Sequence, residues 1–467
     1  MADYSEPSVR NVPFRVTDPE RIPVKRYYDE AFYGLEKEQL WPRAWQMACR
    51  VEQIPNVGDW IEYSNLGKSV IVVRTREGIQ AYSNACRHRG VQLASGHGNC
   101  EKKGFTCPFH GWHWNIEGEN TFVYGRPVFS EHQLDHADLA LPKLRTEEAL
   151  GCVFINFDDD APSFRDSIGP VVERLEAHAL HKARAEWWYA TELPANWKLA
   201  MEAFMEALHV MRTHPQLYAV GEEFFGPRYE WPRDEVEERR AQAGIPPLRE
   251  FTENYADYLN CIGTGMAGMA HAKDVATARS MIDAEVPGDP KMGIMTWLGM
   301  LNDAVTRDGR ARGEPTPDLN AVNQSHPVSS VEFIFPHVFF LPTLSSFSAY
   351  RIRPTGPESC RFEIWSLTLF PEGQEPAPVM EPTILPYDSK DFPEIPQQDY
   401  ANIPLQQQGL HADGFEFMRL SRDTEGMISN FHRILDGWLA GLAAERVAPS
   451  VHKLGGNFDG PVLDLDL

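Results

Sequence analysis

The chain has 467 residues, 42% hydrophobic and 24% charged, enough for two or three domains that each bury a core. A formal net charge of −23 argues against nucleic acid and anionic membranes as partners and suits a positively patched protein partner. The apolar runs are too short to span a bilayer, and the opening Met1-Ala2-Asp3-Tyr4-Ser5-Glu6 lacks the features of a secretory signal.

Residues 1–45 read as an arm plus a helix. Asp29 can cap a segment carrying Phe32, Leu35, Leu40 and Trp41, ended by Pro42. Residues 46–160 read as an all-β unit. Trp60-Ile61-Glu62-Tyr63 and Ser69-Val70-Ile71-Val72-Val73 are β-rich, glycines punctuate the segment, and Cys152–Phe157 closes it as a buried strand. The acidic run Asp158-Asp159-Asp160 marks a boundary. Residues 161–467 mix helix and strand. Phe164 to Ala183 is amphipathic, Tyr189 to Leu193 is a strand, and a helix is expected from about Trp197 through His209. Residues 222–328 are polar and rich in Met, Gly and Pro, too long for a plain connection, so a lid or an oligomer contact is expected there. Antiparallel strands are expected at Val331–Phe335, Val338–Leu341, Phe347–Ile352 and Arg361–Leu369, followed by a mainly helical stretch from Asp399 through Leu442.

Seven widely spread cysteines suit a reducing cytoplasm, where Cys and His pairs bind metal more often than disulfides form. One cluster has that spacing: Cys86-Arg87-His88, then eighteen residues, then Cys107-Pro108-Phe109-His110. Two thiolates for one iron and two imidazoles for the other are what a Rieske [2Fe–2S] centre needs. Gly90 and Gly111 permit close backbone approach, and Pro108 stiffens its loop. A structural Cys2His2 zinc site is the alternative, although zinc half-sites prefer wider spacing than Cys-x-His. Cys100 reads as packing, and His97 and His113 as loop hydrogen bonding.

The second cluster is Glu206-Ala207-Leu208-His209, continuing to His214. Two His plus a carboxylate with open positions is the facial triad of non-haem Fe(II) oxygen chemistry. His209 and His214 lie about 140° apart on a regular helix and cannot chelate one ion without distortion. Pro215 supplies it by pushing His214 out of the α region. Among sixteen His, a pair at this separation also arises by chance.

Together, Cys-x-His…Cys-x-x-His followed by Gly111-Trp112, then Asn196-Trp197-Lys198, then Glu-x-x-His-x4-His, resemble the catalytic α subunit of Rieske non-haem iron aromatic-ring-hydroxylating oxygenases. The resemblance covers nearly the whole chain. It implies an α+β protein: an all-β Rieske domain plus a catalytic domain with an antiparallel sheet covered by helices, helix-grip-like. It implies that Cys86, His88, Cys107 and His110 hold the cluster, and that His209 and His214 bind the mononuclear Fe(II). The third ligand is placed at Asp399, because Gln397-Gln398-Asp399-Tyr400 resembles the family's stretch; Asp391 and Asp413 are the alternatives. Glu206 would bridge His209 to His110 of the partner subunit, which implies a cyclic trimer. The chain departs from the family's pattern at Glu202-Ala203-Phe204, where Asn is frequent in the middle, and at Leu208, where Tyr is frequent. Both changes make the surroundings more apolar.

The expected activity is that of a terminal oxygenase using O2 and electrons from a separate NAD(P)H-dependent reductase, with or without a ferredoxin, since no flavin or nicotinamide motif is present. A neutral, bulky aromatic or alicyclic substrate is expected in a pocket formed by Met201, Phe204, Met205 and Leu208. O- or N-demethylation is the same chemistry on a methyl carbon. A Rieske electron carrier without oxygenase activity would need only the 46–160 unit and leaves the second cluster unexplained. Whether a β subunit joins the trimer stays open.

Overall fold

Asp29 starts the first helix as its sequence suggests: its carboxylate accepts the Phe32 N–H at 2.9 Å, and the helix runs Glu30–Leu35. The turns continue through Glu36–Leu40 with a wider π pitch, and Phe32, Leu40 and Trp41 are buried. The computed structural model describes residues 8–217, 235, 247–266, 268–286 and 290–467. The N-terminal arm is held far along the chain. Arg21–Pro23 pairs antiparallel with Phe417–Arg419. Arg26 donates to Asp436 at 2.6 Å and to the His432 ring at 3.0 Å.

The β unit is built on a seven-stranded sheet. Its spatial order is Gln46–Arg50, Cys152–Asn156, Lys143–Ala149, Gly78–Ser83, Lys68–Thr75, Asp59–Asn65 and His97–Asn99. Strand Lys68–Thr75 carries Val70, Ile71, Val72 and Val73 with no exposure, the continuous apolar run of a strand covered on both faces. A separate three-stranded sheet is formed by Phe105–Thr106, His113–Trp114 and Asn120–Phe122.

The following unit centres on a six-stranded sheet in the order Glu332–Ile334, Val338–Thr343, Ser346–Gly356, Ser359–Thr368, Arg184–Leu193 and Thr383–Ile384. All neighbours are antiparallel except the last pair. Thr383–Ile384 runs parallel to Arg184–Leu193, a departure from the purely antiparallel expectation. It is a two-residue edge strand reached by a long crossover, and that crossover sets its direction. The helices Glu394–Gly409 and Gly426–Leu439 follow, and Gly426–Leu439 is almost wholly buried.

Most of the described part of 222–328 is helical: Leu248–Gly265, Ala272–Ser280, Pro290–Ala311 and Leu319–Ser325. Asp274 anchors it to the sheet by accepting from Ser345 and Ser346 at 2.8 Å each. The expectation of a lid also falls on residues 222–234 and 236–246, which lie outside the described residues. Among the described residues, no helix is long and apolar enough to cross a membrane.

The two units are sewn together within the chain. Arg351 donates to the carbonyls of Met47 and Ala48 at 3.0 and 2.7 Å, and Arg50 donates to the Ala183 carbonyl at 2.6 Å. The Met47 N–H donates to His337 Nε2 at 3.2 Å. Burial, then the Arg351 and Arg353 charges, push the His337 pKa down to about 3, so this ring stays neutral and free to accept.

Candidate active site

The helix that carries the site begins at Asn196, whose side chain accepts the Lys198 N–H at 2.9 Å. It runs only Trp197–Glu202, and a second helix runs Leu208–Thr213. The single helix expected through His209 is therefore broken at residues 203–207, and side-chain competition for backbone groups explains it. Glu206 Oε2 accepts the His209 N–H at 3.0 Å, and Asp459 accepts the Ala207 N–H at 3.3 Å. Glu206 and His209 thus meet across a helix start, with Oε1 only 2.5 Å from His209 Nδ1. His214 ends the second helix with φ −116° and ψ 65°, the departure that Pro215 imposes.

These turns bring His209, His214 and Asp399 together, with candidate ligand atoms all within 4.8 Å of one another. His214 Nε2 is 3.1 Å and His209 Nε2 is 3.9 Å from the same oxygen, Asp399 Oδ1. Of the acids weighed, Asp399 is the one beside the histidines; Asp391 bonds its neighbour Ser389, and Asp413 is exposed.

The donor set fits a cation. His209 Nδ1 faces the Glu206 carboxylate, and His214 Nδ1 faces Gln398 Oε1 at 2.6 Å. Gln398 is oriented by Gln216, whose amide donates to the same Oε1 at 2.9 Å while accepting from Gln398 Nε2 at 3.2 Å. Each Nδ1 must therefore carry its ring's hydrogen, and each Nε2 presents a lone pair toward Asp399. Two lone pairs and an anion converging on one point repel unless a metal ion fills it. Burial would lower the His209 pKa, but the Glu206 hydrogen bond and charge, together with Asp399, outweigh it and raise it. Gln216 was not singled out in the sequence, and Gln398 entered it only as a neighbour of Asp399. Nothing local marks them, because Gln398 meets His214 across 184 positions.

The Cys-His loops form the second donor set. The Cys86 N–H donates to Val91 O at 2.8 Å, and Gly90 N–H to Cys86 O at 2.9 Å. The other loop repeats this turn: Cys107 N–H to Trp112 O at 2.8 Å, and Gly111 N–H to Cys107 O at 3.0 Å. Gly90 and Gly111 have φ of +77° and +70°, which only glycine adopts without strain. The Cys86 sulfur receives backbone N–H groups of His88 and Arg89, and the Cys107 sulfur those of Phe109 and His110. The His88 and His110 rings lie 4.7 Å apart, and buried His88 Nδ1 has no hydrogen-bond partner. Two N–H-cradled sulfurs facing two imidazoles fit a cluster of two irons and two sulfides. Cys100 instead bonds Gly58 O at 3.4 Å, and His113 bonds Thr121 and the Lys103 carbonyl, both at 2.5 Å.

A cavity of about 790 Å³ opens beside the three converging ligands, lined among others by Glu202, Glu206, His209, Asp399 and Glu425. None of Met201, Phe204, Met205 and Leu208 lines it. Met201 and Met205 are wholly buried, and Phe204 packs on the sheet against Tyr350 and Phe339, with ring centroids 4.5 and 5.1 Å away.

The family profile described as "Ring hydroxylating alpha subunit (catalytic domain)" matches residues 174–441, and that described as "Rieske [2Fe-2S] domain" matches residues 44–124. The chain belongs to the ring-hydroxylating oxygenase α-subunit family. Its cofactors are a Rieske-type [2Fe–2S] cluster and a mononuclear iron, which sets aside the zinc alternative. It is 32% identical over 197 residues to the carnitine monooxygenase oxygenase subunit of Escherichia coli K12, covering 42% of this chain and 52% of that protein. It is 25% identical over 361 residues to the biphenyl 2,3-dioxygenase subunit alpha of Rhodococcus jostii RHA1, covering 75% and 69%. The aligned part thus spans about half the length of the carnitine relatives. The fold is shared with naphthalene 1,2-dioxygenase with indole bound in its active site, with a TM-score of 0.63, 19% identity and coverage of 95% and 98%. It is also shared with the quaternary ammonium Rieske monooxygenase CntA in complex with L-carnitine, with a TM-score of 0.57, 17% identity and coverage of 90% and 97%.

Proposed function

We propose that the protein is the terminal oxygenase of a multicomponent system, oxidising a hydrophobic aromatic or alicyclic substrate with O2 and electrons from a separate reductase. The observation that carries this reading is the convergence of His209, His214 and Asp399, with both imidazole Nε2 atoms free to bind, in one chain with paired Cys-His loops. When bound, the cluster supplies electrons one at a time and the mononuclear iron supplies O2 activation. Cys86, His88, Cys107 and His110 hold the first; His209, His214 and Asp399 hold the second. The aromatic character of the substrate rests on the 25% identity to a protein named biphenyl 2,3-dioxygenase subunit alpha. N-demethylation is the second reading, favoured by the 32% identity to a protein named for carnitine oxidation. Incubating the reconstituted system with indole and, separately, with L-carnitine decides between them. Oxygen incorporated into indole supports the first, and cleavage of a carbon–nitrogen bond in carnitine the second.

Electrons cross between subunits in this proposal. Among the described residues, His110 makes no hydrogen bond to Glu206 of its own chain. The cluster face is open, with Arg87 and Arg89 exposed and Phe109 60% exposed. The cavity that bares Glu206 also carries the acid Glu425 and the exposed apolar side chains Leu405 and Phe415. Opposite charge and matching apolar surface suit a second copy, and a head-to-tail contact of this kind closes as a ring, here a trimer. Glu206 then bridges His209 to the partner subunit's His110, orienting both rings. Substituting Glu206→Gln is expected to leave both metal sites loaded and to slow cluster reoxidation by about 10- to 100-fold. Stopped-flow absorbance measures this, and an unchanged rate removes the bridge. Substituting Leu405→Asp is expected to lower the mass seen by light scattering to that of the single chain and to abolish turnover together with it.

A further inference from the structure

The cavity beside the ligands has one wall residue whose chemistry is still unused. Glu202 sits one turn before Glu206, is 6% exposed, and lines the same space as Glu206, His209 and Asp399. Its Oε1 is 2.8 Å from Tyr27 Oη and 2.8 Å from His432 Nε2. The Arg26 Nε–H donates to His432 Nδ1 at 3.0 Å, so that nitrogen is an acceptor and the ring's hydrogen sits on Nε2. Burial, then the charges of Arg26 and Lys198, keep His432 neutral by pushing its pKa well down. Burial, then the Glu202 charge, keep the Tyr27 hydroxyl protonated. Tyr27 Oη also lies 2.9 Å from His432 Nε2, so the Nε2–H is shared between Tyr27 and Oε1, and Oε1 acts as an acceptor. A proton on this carboxyl belongs on Oε2, which has no hydrogen-bond partner among the described residues.

From this geometry we propose that Glu202 is the proton donor of the centre: it stores a proton on the cavity wall and releases it into the cavity that Glu206, His209 and Asp399 share. The inference rests on the oxygenase reading, because only O2 reduction there requires a proton. For each pair of electrons delivered, a pair of protons must arrive to balance the reduced oxygen. Glu202 gives one from Oε2 to cavity water. The carboxylate left behind is held by Tyr27 O–H and His432 Nε2–H, and the next proton arrives through the same cavity. Burial raises the Glu202 pKa to about 8 against the Tyr27 hydrogen bond and the Lys198 and Arg26 charges, with Glu425 across the cavity adding to the rise. A group poised near the working pH can both hold and release a proton. The other charged neighbours are already paired, Lys198 with Glu36 and Arg26 with Asp436.

Two readouts on the holoenzyme test this. In infrared difference spectra over pH 6 to 10, a protonated-carboxyl band is expected to bleach with a midpoint near 8, and to be missing in Glu202→Gln. In Tyr27→Phe, which removes one donor to the carboxylate form, that midpoint should move upward. In stopped flow, cluster reoxidation by O2 should slow by about 100-fold in Glu202→Gln and lose the alkaline fall expected of the wild type. A wild-type band that survives in Glu202→Gln overturns the stored proton. If the wild type reoxidises and Glu202→Gln matches its rate and pH profile, the donor role alone is overturned. If the wild type does not pass electrons to O2 at all, the oxygenase reading falls and the donor role with it.

Discussion

Replacing Asp399 with Ala is expected to strip the mononuclear iron from the protein while leaving the [2Fe–2S] cluster and its sulfide untouched. Asp399 supplies the one anionic oxygen that both His209 and His214 face, at 3.9 and 3.1 Å. Without it the two neutral imidazoles hold a doubly charged ion with no charge compensation, and affinity falls below what retains iron through purification. Turnover is lost completely, whereas the Glu206 substitution only slows it. Iron and acid-labile sulfide analysis, with electron paramagnetic resonance of the reduced sample, reads both sites at once. The reduced cluster signal should be unchanged, and the high-spin iron–nitrosyl signal that nitric oxide produces in the wild type should disappear. Full iron retention would place the third ligand elsewhere.

The largest stability effect is expected from a pair outside the ligand set. Lys198 and Glu36 both have side chains with no exposure, and Nζ lies 2.6 Å from Oε1. The other Glu36 oxygen accepts the Trp197 indole N–H at 3.0 Å. Around the ammonium stand the rings of Tyr27, Phe32 and Trp197, with centroids 5.6, 5.6 and 5.3 Å away. Burial lowers the Lys198 pKa, and Glu36 is the main group resisting that. Glu36→Ala leaves the ammonium without its anion in a dry site, at a cost of about 3–5 kcal/mol. Adding Lys198→Met should recover most of it, because the double variant buries no unpaired charge. Urea denaturation of the wild type, single and double variants gives the comparison. Equal loss in the single and double variants would mean that the pair contributes by shape alone. Because Lys198 lies on the short helix that leads into the iron ligands, the single variant should also bind the mononuclear iron more weakly.

What could be read in the chain before folding was whatever a short stretch encodes. Both Cys-His loops, the Asp29 cap and the glycines that permit the tight turns depend on neighbours within a few residues. Four strands of the larger unit's sheet were visible because β-branched and aromatic residues concentrate in them. The break at 203–207 was not visible, because Glu206 and Asp459 create it by taking N–H groups that a continuous helix would have used itself. Asp399 could be placed only through likeness to a family. The Gln398–Gln216 pair and the Tyr27–Glu202–His432 triad could not be placed at all, since each is assembled from segments distant in sequence. Met201, Phe204 and Met205 show the same limit: apolar residues beside a candidate metal ligand serve the sheet core as readily as a ligand cavity, and spacing does not distinguish the two.

The seam between the two units sets a rule for how the protein behaves in a cuvette. Arg351 and Arg50 grip carbonyls across it, and the Met47 N–H donates to His337, whose pKa burial pushes down. Breaking these buried bonds together is too costly for thermal motion during turnover. The cluster is therefore held from swinging like a tethered shuttle toward its own chain's iron, and in the proposed ring the path is completed by a neighbour standing in place. It follows that activity per chain should fall with the square or a higher power of concentration once the sample is diluted below the point where neighbours separate. Crowding or concentrating the sample should restore it, with no change in the colour of the cluster.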